Sequence, residues 1–137
     1  MGKGSSQDKE FITYLHFDVY MEKLVDMIKQ NSVMNKLKYV YGIPRGGLPI
    51  AVHLSHFLNL ELVDTHPSGH KKEEIIVVDD IAHTGKSLED YGFWAIATAT
   101  LFYREESKFR PDFYVKIAKK WIVFPWEKPD EVPNRPE

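Results

Sequence analysis

An α/β fold built on a central, mostly parallel sheet flanked by helices is what this sequence predicts, on three observations. The run Ile75-Ile76-Val77-Val78 is β-branched throughout, as a parallel strand covered on both faces requires. Shorter apolar runs alternate along the chain with segments of helical period. Twice, an apolar run stops at a glycine-bearing loop that opens a helix, once at Gly46-Gly47 and once at Gly85.

The 137 residues suit a single domain. Residues 1–11, polar and rich in glycine and serine at their start, read as a flexible leader without the apolar core of a signal peptide. Phe17, Tyr20, Met21, Leu24, Val25 and Ile28 recur at three- and four-residue steps and mark one face of an amphipathic helix, with Asp18 near its start. Leu37 to Ile43 reads as a strand. Leu48 to Leu58 reads as a helix with Ile50, Leu54, Phe57 and Leu58 on one side. A short strand at Glu61–Val63 precedes the polar loop 64–74. After the β-branched run come a short helix at Lys86–Tyr91 and strands at Trp94–Tyr103, Phe113–Ile117 and Ile122–Phe124. Residues 128–137 are charged and proline-rich and read as an irregular tail, which leaves 12–127 as the domain.

Composition excludes several chemistries. Without cysteine there is no disulfide scaffold, thiolate nucleophile, Cys-ligated zinc or redox pair. Eighteen basic against twenty acidic residues give a net charge of −2, whereas chains that bind nucleic acid through bulk charge are clearly basic. No apolar run reaches the ~20 residues of a membrane helix, and a cytoplasmic protein is the expectation.

The chemistry concentrates in residues 75–90. The apolar strand ends in Asp79 and Asp80, and Thr84-Gly85-Lys86-Ser87 then opens a helix. Ligands of open α/β sheets bind at the carboxyl ends of strands, so this junction is the expected site. Gly85 permits a sharp turn. The amides of residues 83–87 can then converge on an anion, with the Thr84 and Ser87 hydroxyls as further donors. A Walker A loop is excluded, because that motif needs glycine where Asp80 stands. Carboxylates repel phosphate, but they accept hydrogen bonds from vicinal hydroxyls and help hold Mg²⁺. An acid pair just ahead of an anion cradle therefore suits a ligand with a diol at one end and a phosphate at the other, the layout of a 5-phosphorylated ribose.

This segment resembles the phosphoribosyl-pyrophosphate (PRPP) motif of the type I phosphoribosyltransferases. The resemblance implies that Asp79 and Asp80 bind the ribose hydroxyls, that His83, Thr84, Gly85, Lys86 and Ser87 hold the 5-phosphate, and that Asp80 takes part in holding Mg²⁺ carried by PRPP. Pro44-Arg45-Gly46-Gly47, between the preceding strand and helix, offers a fixed cation and backbone amides for an oxyanion. It is similar to the family's pyrophosphate loop, where the peptide before the Arg position is often cis; here that bond is Pro44–Arg45.

The segment Trp121-Ile122-Val123-Phe124-Pro125-Trp126-Glu127 is similar to the base-binding stretch of xanthine–guanine and archaeal 6-oxopurine phosphoribosyltransferases. There the Trp stacks on the purine and the backbone after it meets the Watson–Crick side. Trp121 and Ile122 take those places, and Arg104 takes the place of the Lys that contacts the 6-oxo group. His83 stands where many of these enzymes carry an Asp near purine N7. An imidazole is suited to the same proton traffic, and His83 is the catalytic candidate.

The expected reaction is Mg²⁺-dependent transfer of phosphoribose from PRPP to xanthine, guanine or hypoxanthine. Two alternatives stand beside it: a PRPP- or nucleotide-sensing regulator that binds nucleic acid, and a transferase for adenine or a pyrimidine. The resemblance also implies a small C-terminal hood with contributions from both chain ends, a lid at loop 64–74, and association into dimers or larger homo-oligomers. His53, His56, His66 and His70 have no carboxylate at a metal-binding spacing and read as solvated.

Overall fold

In the computed structural model, which describes residues 8–128, the amphipathic stripe forms helix α1 (Tyr14–Lys29), burying Phe17, Met21, Leu24, Val25 and Ile28. Its start lies ahead of Asp18: Thr13 is the N-cap, and its hydroxyl accepts the His16 N–H at 3.1 Å. Strand β2 (Tyr39–Gly42) leads into helix α2 (Gly47–Leu58), which buries Gly47, Ile50, Ala51, Leu54 and Leu58. Phe57, expected on that buried side, is exposed: it lies about 20° outside the edge of the buried stripe. Asn59 closes α2 in the left-handed conformation (φ 57°), and the Ser55 hydroxyl donates to the Leu60 carbonyl at 2.6 Å.

Strand β3 (Glu61–Val63), strand β4 (Ile75–Ala82), helix α3 (Lys86–Gly92), and strands β5 (Ala97–Tyr103), β6 (Phe113–Ile117) and β7 (Trp121–Val123) follow. The five central strands are all parallel, in the order β3-β2-β4-β5-β6. The order reverses between β2 and β4, and this switch point carries both glycine-bearing loops. All eight residues of β4 are buried, because helices cover both of its faces. Ile76 and Val78 pack in one core with α1 and α2; Ile75 and Val77 pack in a second with Leu88 of α3. Full burial of each such side chain is worth roughly 1.5–3 kcal/mol, which makes β4 the anchor of the sheet.

One expectation is corrected at the chain's start. Lys9–Phe11, assigned from composition to the leader, is strand β1, paired in parallel with β7 so that Lys9 faces Trp121, Glu10 faces Ile122 and Phe11 faces Val123. This two-stranded unit stands apart from the main sheet. The flexible leader otherwise falls on residues 1–7 and the irregular tail on 129–137, both outside the described residues. No helix among the described residues is long and apolar enough to cross a membrane.

Candidate active site

The acid pair lies within β4, which continues past it to Ala82. Strict alternation fails here: Ile76, Val78 and Ile81 share one core, so the strand changes face across Asp79–Asp80. The carboxylates serve the backbone at that point. Asp79 Oδ1 accepts the N–H of Asp80 at 2.8 Å, and Asp80 Oδ1 accepts the N–H of Ile81 at 2.7 Å. Both side chains are buried, Asp79 at 5% and Asp80 at 0% exposure.

The two loops meet at Gly46. A Cβ there would run into the Asp80 carboxylate, with Cγ at 2.5 Å, so only glycine lets the first loop lie on the acid pair. A Cβ on Gly47 would meet the Val78 carbonyl at 2.5 Å. The Gly47 N–H donates to the Ile43 carbonyl at 2.8 Å, so this amide, expected to face an anion, is used within the turn. Of the two glycine amides, Gly46's is left for that role among the described bonds. The Pro44–Arg45 peptide is cis, and both residues are exposed at the loop's crest.

The second loop turns at Gly85, with φ at +88°. It is braced by the β5–β6 connection. A Cβ on Gly85 would meet Ser107 Oγ at 2.6 Å and Phe109 Cβ at 2.7 Å, and the Lys108 N–H donates to the Thr84 carbonyl at 2.9 Å. Thr84 Oγ1 accepts the Lys86 N–H at 3.2 Å. The Lys86 ammonium pairs with Asp90 at 3.1 Å, so its charge is directed along α3. Ser87 is half-buried at the helix start.

His83 joins this loop to the third segment. Its imidazole stacks on the Trp121 indole, with centroids 5.1 Å apart and planes 18° from parallel. Arg104 leaves the end of β5 toward the same place: Nη2 donates to the Lys120 carbonyl at 3.1 Å, and Nη1 lies 3.7 Å from Glu106. In β7 the Trp121 N–H donates to Asp8, and the Val123 carbonyl accepts from Ile12. Those residues thus face β1, and in a strand the residue between them, Ile122, presents its N–H and C=O on the opposite edge. The Ile122 side chain is buried.

No family model and no curated protein matches the sequence. Solved structures do. A purine phosphoribosyltransferase from Pyrococcus horikoshii aligns over 91% of this chain and 98% of its own, at 28% identity and a TM-score of 0.76. The xanthine–guanine–hypoxanthine phosphoribosyltransferase of Helicobacter pylori aligns over 88% of this chain and 94% of its own, at 25% identity and a TM-score of 0.72. The chain has the type I phosphoribosyltransferase fold, and both of these structures are purine phosphoribosyltransferases. A Neisseria gonorrhoeae protein with bound ppGpp shares the fold, at 20% identity, 90% and 91% coverage and a TM-score of 0.66.

In this fold the residues read from sequence as three segments form two contacts, Gly46 with Asp80 and His83 with Trp121. The loop in the lid position is docked: His66 packs on Tyr91 and Trp94, His70 on Tyr39, and Pro67 is buried. Tyr41 packs on Tyr91, its phenol pushed up to about 12 by burial, reinforced by the neighbouring Tyr91 phenol. His53 packs between Phe17 and Phe57. Among the described residues no group of three or more His, Asp or Glu could hold a metal. Sequence reading missed the brace at Ser107, Lys108 and Phe109, since that connection carries no motif. The one available signal was Gly85 itself, whose closeness implies a neighbour.

Proposed function

We propose that the protein transfers the 5-phosphoribosyl group of PRPP to a 6-oxopurine (xanthine, guanine or hypoxanthine), yielding the nucleoside 5′-monophosphate and pyrophosphate. The observation that carries this reading is the His83–Trp121 stack, which sets the phosphate loop beside the aromatic segment so that one nucleotide can span both. Asp79 and Asp80 accept hydrogen bonds from the ribose hydroxyls. The 5-phosphate sits on residues 83–87, and Arg45 with the Gly46 amide holds the leaving pyrophosphate. Trp121 stacks on the base, Arg104 donates to its 6-oxo group, and the Ile122 backbone meets its Watson–Crick edge. His83 manages the proton at the base. The protein's work is mainly positioning and charge placement around a ribose that becomes cationic as the pyrophosphate departs.

The donor set fits a Mg²⁺ that arrives on PRPP, not one in a site made wholly of protein. A buried carboxylate lies against the pyrophosphate loop, and among the described residues no cluster of three protein ligands accompanies it. Asp80 would hold that ion, which supplies neutralising charge for the pyrophosphate. Purine salvage in the cytoplasm and association into homo-oligomers go with the same reading.

The test is pyrophosphate release by purified protein with Mg²⁺, PRPP and a panel of bases. Release is expected with guanine, hypoxanthine or xanthine and not with adenine, uracil or orotate. Release with no base at all contradicts the reading.

A further inference from the structure

The groups assigned to the base lie on two parts of the fold that share no ladder. Arg104 follows β5 of the main sheet, whereas Trp121 and Ile122 belong to β7, whose strand partner is β1. Holding one base by its 6-oxo group and its Watson–Crick edge needs those groups at a fixed spacing. Besides the Arg104–Lys120 bond, a row of rings spans the gap. Phe102, two residues ahead of Arg104, meets Phe124 with centroids 5.8 Å apart and planes at 72°. Phe124, the residue after β7, stacks on Trp126 at 5.1 Å and 9°. Trp126 meets Phe17 of α1 edge-on, at 5.2 Å and 88°. All three are favourable aromatic geometries.

We propose that Trp126 is a positioning residue for the base: it fixes the Phe124 ring and, through it, the spacing between Arg104 and the strand that carries Trp121 and Ile122. This rests on the functional reading above and adds to it a residue outside the ligand-contacting set named there. The turn that carries Trp126 closes on itself. Glu127 Oε1 accepts the Phe124 N–H at 2.9 Å, and the Glu127 N–H donates to the Phe124 carbonyl at 3.0 Å. Pro125 stiffens the chain between them. Phe124 and Phe17 are buried, and Trp126 is half-buried against both. Just ahead of α1, the Ile12 N–H donates to the Val123 carbonyl at 2.9 Å. The end of β7 is thus held by backbone on the α1 side and by rings on the β5 side.

The loops assigned to PRPP do not depend on this row. They follow β2 and β4, meet each other where Gly46 lies on Asp80, and are braced at Gly85 by Ser107 and Phe109. Loss of the Trp126 ring therefore acts on the base and spares PRPP. A merely stabilising residue would lower the unfolding midpoint without dividing the two substrates.

Steady-state kinetics and amide hydrogen exchange of the whole protein test this in Trp126→Ala, Trp126→Leu and Trp126→Phe. The substrates are PRPP with Mg²⁺ and whichever of guanine, hypoxanthine and xanthine the wild type uses fastest. The first two variants remove the ring, and Trp126→Leu loses less volume, which guards against an alanine variant that does not fold. In both, the KM for the base should rise roughly 5- to 50-fold, within the span of two aromatic pairs, with the KM for PRPP unchanged. Trp126→Phe keeps a ring against both partners and should recover most of that loss. The Ile12, Phe124 and Glu127 amides should exchange faster in the ring-less variants, and those of Val77 and Val78 in β4 at the wild-type rate. An unchanged KM for the base in the ring-less variants overturns the proposal, as does a KM for PRPP that rises with it. Wild-type protein that turns over none of the three bases would remove the functional reading. Amide exchange decides the role of Trp126 even then, and unchanged exchange at Ile12 and Phe124 overturns it.

Discussion

Asp80 shows how much a single side chain carries here. It is fully buried, its carboxylate accepts the Ile81 N–H, and Gly46 of the other loop lies against it. Asp80→Asn keeps the shape and removes the charge; a hydrogen bond to a charged group is worth ~1.5–3 kcal/mol, so kcat/KM for PRPP should fall about 10- to 150-fold. Gly46→Ala drives a methyl group into that carboxylate, and the KM for PRPP should rise at least as far as in Asp80→Asn. Gly85→Ala should cost ~1–2 kcal/mol for the left-handed backbone alone, read as a lower urea midpoint, with the contact to Ser107 adding to it. Tyr41 gives a pH prediction. Its folded pKa of about 12 lies above the ordinary 10.0, so its stabilising contribution is complete below pH 10 and is lost as pH rises through 12. Thermal unfolding between pH 9 and 12 should therefore show a downward slope that Tyr41→Phe makes shallower.

Elements whose burial leaves a period in the sequence were legible. The stripe on α1 and the unbroken run on β4 were read correctly because helices bury one face of the first and both faces of the second. β1 was not. It is three residues long, two of them charged, and it is held by β7 from the other end of the chain, so nothing local marks it. The same applies to the 104–112 connection, which braces the Thr84–Gly85 turn through backbone groups and the Ser107 side chain. The acid pair, the glycine loops and Trp121 were legible as residues, but their contacts depend on the topology that brings β2 beside β4. The β1–β7 pair carries its own prediction. Glu10→Pro removes a ladder N–H from β1 and loosens the strand that presents Trp121 and Ile122. Loss of one such bond, ~1–1.5 kcal/mol, should raise the KM for the base about tenfold and leave the KM for PRPP unchanged.

At the scale of the whole molecule, the site is assembled from both ends and the middle of one short chain. In the proposed function, the paired β1 and β7 would form the hood over the base, while the loops after β2 and β4 would hold the rest of the ligand. α3 spans Lys86–Gly92, so the segment after the Gly85 turn is a single short helix. Ligand should accordingly stabilise the fold as a unit: PRPP with Mg²⁺ at ~100 times its Kd should add about 2.7 kcal/mol to unfolding, seen as a raised Tm that chelation of Mg²⁺ reverses. The central claim is that one nucleotide spans all of these parts, and a crystal structure with GMP tests it most directly. The account predicts the ribose hydroxyls on Asp79 and Asp80, the phosphate on residues 83–87 and the guanine stacked on Trp121. A nucleotide bound with its base away from Trp121, or with its phosphate off that loop, would contradict it.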